Sequence, residues 1–403
     1  MTKKAVGIIF LVSVLSTTLI IKYIHSNNEA PPRSDAGEDV TRVNTIEYNN
    51  NSSKRVRAGV KIIKEVTDSL LIDDDVHFAT IIDIKNNGDY IYVLDSGVNM
   101  LLKFDLKGNF IDVYNRVGSG PGEYLKILFF DVDRSGNIYL YDSIQRKIII
   151  TDSTFEFERE FRVEEMVSGL SVDNIGNIYL VERKYSSSGL SREMFLWKYF
   201  KSSNYSADER QLLQSAPIPH ELGLPPGEFV VTTMERGPEN ELYFSLLRDY
   251  AIYKYLEDGH LGFVVRRKID KTPLPGWQRE MLVKAKRGLP KDKRKLFLIP
   301  EYQPHVLTKI IVDRATNKFY VITQEHKDKA QWPMTKDTVF LKNVDIYSLQ
   351  GNLEKQLEIV TDRPFIFHSV HNDLFYSTYI QTASPAETQS LPYSFVITVL
   401  EPY

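Results

Sequence analysis

Imidazole and carboxylate side chains are the groups of this sequence that could bind a cation or an amine, or act as general bases. Five of them stand at or near the ends of apolar segments: His77, Glu123, Glu228, His305 and His368. None of the eight histidines forms a His-x-x-x-His or His-Glu-x-x-His motif, and His368 and His371 would point to opposite faces of a strand. The spacing therefore assigns no metal, no cofactor and no catalytic residue.

A second candidate site is a cationic stretch within an insertion at about residues 271–305. Its basic side chains are Lys284, Lys286, Arg287, Lys291, Lys293, Arg294 and Lys295. Residues 275–287 can form a short helix that places Trp277, Met281 and Leu282 on one side. Two interpretations stay open. The stretch is either a solvated lid helix packed on the body, or a docking surface for an anionic polysaccharide, a lipid headgroup or an acidic protein.

The composition excludes several classes of function. A net charge of -3 gives no overall field that would attract nucleic acid, and no nucleic-acid partner is expected. The absence of cysteine excludes disulfides, thiolate catalysis, cysteine-based zinc sites and iron–sulfur clusters. No Gly-x-Ser-x-Gly motif, P-loop or dinucleotide fingerprint occurs.

The first 25 residues read as a signal peptide or an N-terminal membrane anchor. Lys3 and Lys4 precede an apolar or small run over residues 5–21. No convincing small-x-small cleavage site follows this run, so we favour the anchor, although a cleaved signal stays open. Both place the rest of the chain outside the cytoplasm, in the periplasm or cell envelope, because the lysines precede the apolar run. Residues 26–55 are polar and predict a flexible linker.

The elements that must position the candidate residues come from a repeat over residues 56–403. In residues 131–142 an apolar run ends, a turn holds Gly136, and a second apolar run follows. Similar turns stand near residues 88, 176, 240, 317 and 372, with no helical pattern at repeat positions. Six units of four antiparallel strands predict an all-β, six-bladed β-propeller. Residues 56–62 alternate as a strand should, and we expect them to complete the last blade and remove an exposed edge.

A recurring phrase between the units resembles a known family. Residues 117–124 read Val-Gly-Ser-Gly-Pro-Gly-Glu-Tyr, and 224–229 repeat the phrase as Leu-Pro-Pro-Gly-Glu-Phe. Followed by a strand and Val-Asp-x-x-Gly-Asn-Ile-Tyr, the phrase resembles NHL-repeat propellers. It is also similar to the six-bladed propellers of secreted and envelope proteins of Bacteroidetes-type bacteria. The resemblance implies the fold. It leaves the function open, because such propellers include binding proteins, ectodomains, lyases and hydrolases.

Two functional hypotheses follow. We favour a monomeric, membrane-tethered propeller that binds a protein or a glycan. The alternative is a hydrolase or lyase with a metal-assisted site at the mouth of the central channel, where we expect His77, Glu123, Glu228, His305 and His368 to lie. Glu123 and Glu228 also have a purely local interpretation within the Gly-Pro-Gly-Glu turn. Asp95 and Asp142, which end two strands, are expected to accept backbone N–H groups of the following turns.

Overall fold

The computed structural model describes residues 44–48, 56–58, 60–66, 78–185, 192–218, 232–246, 250–267, 272–273, 276–288, 294, 302–303, 306–324, 340–361, 365–382 and 393–402. Three strands come first: β1 (Asn44–Tyr48), β2 (Val56–Ala58) and β3 (Val60–Val66). The predicted signal or anchor at residues 1–25 lies outside the described residues. Among the helices of the described ranges, none is long and apolar enough to cross a membrane.

Six antiparallel blades follow along the chain. The first is β4 (Ile81–Asn86), β5 (Tyr90–Asp95), β6 (Met100–Asp105) and β7 (Phe110–Tyr114). The second is β8 (Ile127–Val132), β9 (Ile138–Asp142), β10 (Lys147–Thr151) and β11 (Phe157–Arg162). The third is β12 (Met166–Val172), β13 (Ile178–Tyr185), β14 (Arg192–Tyr199) and β15 (Gln211–Ile218).

The second half repeats the arrangement with one insertion. The fourth blade is β16 (Thr232–Arg236), β17 (Leu242–Leu246), β18 (Ala251–Tyr255) and β19 (Leu261–Arg267). The insertion holds β20 (Thr272–Pro273), α1 (Gly276–Gly288) and β21 (Tyr302–Gln303). The fifth blade is β22 (Val306–Asp313), β23 (Lys318–Gln324), β24 (Phe340–Ser348) and β25 (Leu353–Thr361). The last is β26 (Ile366–His371), β27 (Leu374–Thr382) and β28 (Tyr393–Pro402).

The three N-terminal strands attach to three different blades. β1, inside the segment predicted to be a linker, lies parallel to β19, and β2 lies parallel to β25. β3 lies antiparallel to β28 as the fourth strand of the last blade. The strand expected over residues 56–62 is thus divided. Val56–Ala58 covers the edge of the fifth blade, and residues 60–66 pair in the last. Side-chain alternation marks a strand but does not specify which edge it covers.

The inner strands of the blades form a ring. β4, β8, β12, β16, β22 and β26 contact one another in that order, and β26 contacts β4. The core lies between the blades rather than at the axis. One cluster joins Leu94 and Leu101 of the first blade to Phe130 and Leu140 of the second. The six-bladed propeller predicted from the repeat is therefore confirmed.

The ring has two faces that differ in their connections. We call the face where inner strands begin the amino-end face, and the face where they end the carboxyl-end face. Connections from first to second strands lie on the carboxyl-end face and are tight, with positive φ at Gly88, Gly136 and Gly176. The long connections 115–126, 219–231, 268–305, 325–339 and 383–392 all join strand ends on the amino-end face.

Buried aspartates organise the amino-end face. Asp142 accepts hydrogen bonds from the backbone N–H groups of Leu125, Lys126, Ile144 and Gln145. In the first blade, Asp95 accepts hydrogen bonds from the backbone N–H groups of residues 79, 80, 97 and 98. Each carboxylate joins a turn to the start of its blade's inner strand, which confirms the capping role expected for both.

Candidate functional site

Charged side chains interrupt the apolar inner strands and meet near the centre of the ring. Successive side chains of a strand alternate between its faces, so residues two apart, such as Asp83 and Lys85, project on the same side. Side chains from five inner strands form what we call the axial cluster: Asp83, Lys85, Asp131, Glu235, Lys309 and His368.

Lys85 joins blades on opposite sides of the ring. Its Nζ lies 2.7 Å from Glu235 Oε2 and 3.9 Å from Asp131 Oδ1. Burial alone would lower the pKa of the Lys85 ammonium, but the charges of Glu235, Asp131 and Asp83 outweigh burial and raise it above its usual value. Lys85 is therefore fully charged at neutral pH, and its single positive charge is shared between two near carboxylates.

Asp83 forms the other half of the cluster. Its Oδ1 lies 2.6 Å from Lys309 Nζ and 3.7 Å from His368 Nδ1. Burial would raise the pKa of the Asp83 carboxyl, but Lys309 and Lys85 hold it well below its usual range. His368 Nε2 is 2.9 Å from the Thr378 hydroxyl, and burial lowers the pKa of its imidazole. The histidine is thus neutral at pH 7 beside an ionised aspartate.

Polar side chains also join neighbouring inner strands directly. Asp131 on β8 accepts hydrogen bonds from Ser171 Oγ (3.1 Å) and the Val172 N–H (2.9 Å) on β12. Thr233 Oγ1 on β16 accepts the N–H of Ile310 on β22 (2.8 Å). The inner ring is therefore held by side-chain bonds, because adjacent inner strands belong to separate sheets.

A cavity of about 80 Å³ lies at the carboxyl-end side of the axial cluster. The ends of β4, β8, β22 and β26 surround it, together with Glu235 of β16. Its polar wall includes Lys85, Asp131, Glu235, Arg314 and Ser369, and its apolar wall Ile311, Val312 and Val370.

The five histidines and glutamates predicted at the channel mouth have different environments. His368 lies in the axial cluster. Glu123 instead accepts the N–H of Gly120 (2.8 Å) within its own loop, as the turn interpretation expects. His77, Glu228 and His305 lie outside the described residues. A joint binding site of these five residues stays a prediction.

The basic candidate residues are described in part. Lys284, Lys286 and Arg287 lie on α1, and Lys284 and Arg287 are exposed. Arg294 Nη2 donates a hydrogen bond to the Arg287 carbonyl oxygen (2.7 Å). Lys291, Lys293 and Lys295 lie outside the described residues, as do the side chains of Trp277, Met281 and Leu282. The docking role of this stretch is therefore untested.

Most members of the axial cluster were not singled out from the sequence. A usable signal existed, because Asp83 and Lys85 stand in the run Ile-Ile-Asp-Ile-Lys, and Asp131 follows Phe-Phe. Charges inside an apolar strand need partners when buried, but the partners come from other blades. Across the residues that the structure describes, no group of three histidines, cysteines or carboxylates could hold a metal ion.

The comparisons with known proteins agree on the propeller fold. A family model described as a 6-bladed beta-propeller (DUF5128) matches residues 33–216, just under half of the chain. A Bacteroides fragilis protein described as exported is 16% identical, with a TM-score of 0.53 over 88% of this chain and 99% of that one. A DUF4221 member from Bacteroides vulgatus is 9% identical, with a TM-score of 0.49 over 87% and 99%. Comparison with curated proteins gives no match. The NHL-repeat resemblance stays a prediction.

The Lys85–Glu235 pair gives a test of the axial cluster. Lys85→Met should lower the free energy of unfolding by about 3–5 kcal/mol, because it leaves the Glu235 carboxylate buried without a cation. The double variant Lys85→Met/Glu235→Met should regain part of this loss, since the Glu235 charge is removed and Asp131 keeps its hydrogen bonds from Ser171 and Val172. Denaturant unfolding measures both values. Equal stabilities for Lys85→Met and the native protein would contradict the ion pair.

His368 predicts how stability depends on pH. Its pKa is lower in the folded than in the unfolded chain, so its contribution is complete above about pH 6.5 and is lost as the pH falls through that value. Between about pH 7.5 and about pH 5, the native protein should lose up to about 1.4 kcal/mol per pH unit relative to His368→Asn. Arg134→Gln, which changes an exposed residue outside the axial cluster, provides the control and should retain the native slope. A native slope in His368→Asn would exclude this role. The Asp83 carboxylate also stabilises the fold, and its contribution is lost only as the pH falls below 3.8, the ordinary pKa of the group.

Proposed function

We propose that this protein is an extracytoplasmic, membrane-tethered propeller that binds a protein or glycan partner through its amino-end face. The observation that carries the proposal is the distribution of connections. The long segments 115–126, 219–231, 268–305, 325–339 and 383–392 all join strands on that face, whereas turns on the other are mostly tight. Loops on a rigid scaffold can vary without disturbing the core, so this face suits recognition.

An exposed apolar group on the amino-end face supports this assignment. Val117, Leu125 and Ile144 are 58%, 39% and 63% exposed. Hydrogen bonds hold their segments together, since Gln145 Nε2 donates to the Gly118 carbonyl (3.0 Å) and the Leu125 N–H donates to Asp142. Exposed apolar side chains brought together on one rim are typical of an interaction surface.

The basic insertion favours an anionic partner. The connection 268–305 leaves β19 and enters β22 on the amino-end face, and it carries the exposed Lys284 and Arg287. Exposed cationic side chains increase the association rate with a partner of opposite charge.

We prefer the binding function to the hydrolase or lyase alternative. A metal-assisted site needs several converging ligands, and within the described ranges the axial carboxylates Asp83, Asp131 and Glu235 already contact lysines. The roles of His77 and His305 in that alternative stay hypotheses.

The extracytoplasmic location rests on the Lys3-Lys4 pair before the apolar run, and the similar Bacteroides fragilis propeller is described as exported. Protease added to spheroplasts should therefore digest the propeller, whereas a cytoplasmic marker protein should stay intact. Deletion of residues 1–25 should leave the propeller in the cytoplasm and protected. Protection of the full chain would contradict this location.

We further propose that the β3–β28 pairing closes the ring in solution. Proline at Ile62, which pairs with Leu400 on β28, removes a backbone donor and should lower the free energy of unfolding by about 3 kcal/mol. Proline at Leu106 is the control and should have little effect, because this exposed residue follows Asp105 in the turn closed by the Gly108 N–H and the Asp105 carbonyl, where proline is favoured. Denaturant unfolding measures both, and equal stabilities would contradict closure by this strand.

The binding face can be tested by photo-crosslinking in cells. Ile144 on the amino-end face and Ile175 on the carboxyl-end face are both exposed isoleucines, at 63% and 52%. A photoreactive residue at position 144 should yield a defined adduct, and one at position 175 should not. Lys284→Glu/Arg287→Glu should reduce that adduct at least about fivefold by removing attraction to an anionic partner.

The matched charge control is Lys107→Glu/Arg134→Glu, which alters two exposed cations in turns of the carboxyl-end face. This variant should crosslink as the native protein does. An adduct from position 175 alone would place recognition on the wrong face and overturn the proposal.

A further inference from the structure

The axial cavity lies apart from the proposed docking face. It is bounded by the ends of inner strands and by the turn residues Asn87 and Gly88, on the carboxyl-end face. The chemistry of its walls is therefore independent of whether the amino-end face binds a partner.

Polar atoms around this cavity have no partner in the described structure. Ser369, which lines it, is 5% exposed, and its hydroxyl makes no hydrogen bond there. Arg314 also lines the cavity, and its Nε has no partner within the described ranges. Arg236 is 1% exposed and donates from Nη2 to the carbonyl of the cavity residue Val132 (2.7 Å), while its Nε and Nη1 stay unbonded to described residues.

Unpaired buried donors of this kind lower the stability of the folded protein. A buried N–H or O–H that loses water without gaining an acceptor costs about 1–3 kcal/mol, and more when the group is charged. Native proteins leave few such groups, and several around one cavity indicate that an acceptor from outside the chain completes the arrangement. All the atoms involved can donate, and only the serine hydroxyl can also accept. The missing partner is therefore rich in acceptors.

The charges around the cavity also indicate a partner that carries negative charge. Three cations, Lys85, Arg236 and Arg314, stand against two carboxylates, Asp131 and Glu235, and Lys85 contacts both carboxylates. Glu241 also acts on Arg314, but its charge is balanced by Lys254, 3.4 Å away. Burial and then the charge of Arg236 lower the pKa of Arg314 to about 10, so the Arg314 guanidinium is still charged at neutral pH. The charged groups around the cavity thus have an excess of one positive charge.

We propose that the cavity binds a small carboxylate anion between Arg314 and Ser369, with Arg236 behind the cavity residue Val132 adding positive charge. A carboxylate carries the one negative charge that balances this excess, and its planar pair of oxygens matches the Arg314 guanidinium donors. The Ser369 hydroxyl donates to the same group. Ile311, Val312 and Val370 accept a short hydrocarbon chain. The volume of about 80 Å³ greatly exceeds the roughly 10–15 Å³ that one water needs, and it accommodates an acid of a few carbons.

Titration calorimetry with the full chain in mild detergent tests this site, with sodium acetate, sodium butyrate and inorganic phosphate as probes. Acetate and butyrate should bind at one site, and phosphate more weakly. Ser369→Ala should weaken acetate binding about fivefold and Arg314→Gln at least about tenfold, the losses expected for a neutral and a charged hydrogen bond. Arg134→Gln removes an exposed arginine of the same face outside the cavity and should bind acetate as the native protein does.

Circular dichroism and thermal unfolding without ligand verify that each variant is folded. Ser369→Ala removes only an unbonded hydroxyl, so it keeps the test valid if Arg314→Gln fails to fold. Several outcomes would overturn the proposal: no binding of acetate or butyrate, phosphate binding more tightly than acetate, or unchanged acetate affinity in Ser369→Ala. Failure here would leave the crosslinking result from the amino-end face unaffected, because the two faces are probed separately.

Discussion

The ammonium group of Lys85 is the buried charge on which the centre of this propeller depends. It lies 2.7 Å from Glu235, which belongs to a blade three places away in the ring, and 3.9 Å from Asp131. A buried ammonium without partners costs several kcal/mol, so its presence requires those blades to be placed correctly. The ion pair thus makes the closed arrangement a condition for burying Lys85.

Neighbouring blades need such constraints because no backbone ladder joins them. Each blade is a separate sheet, and apolar clusters between blades can slide more readily than hydrogen-bonded strands. The bonds from Ser171 and Val172 to Asp131, and from Ile310 to Thr233, have a defined direction and length. They fix the register of adjacent inner strands where apolar packing specifies it least. The polar axis and the apolar inter-blade core therefore have complementary roles.

The two ends of this axis also differ in their connections and polar groups. On the carboxyl-end face, tight turns leave the ends of the inner strands open to a small cavity lined by Arg314 and Ser369, whose Nε and hydroxyl have no partner among the described residues. On the amino-end face, Asp95 and Asp142 anchor short turns, while the long connections extend from the same rim. A small anion and a macromolecular partner would thus occupy opposite ends of one rigid scaffold without competing.

The sequence by itself determined the number of blades, the strand and turn pattern, and the capping aspartates, because these depend on residues close together in the chain. Asp142 is an example, since its four donors lie within about twenty residues of it. The sequence also showed that Asp83 and Lys85 interrupt an apolar strand, but not why. Only the tertiary structure decided that Lys85 meets Glu235, that Val56–Ala58 covers the fifth blade, and that Arg314 and Ser369 line one cavity. These contacts join residues up to 301 positions apart. Local pattern carries no information about which distant strand supplies a partner charge, because closure of the ring sets that choice.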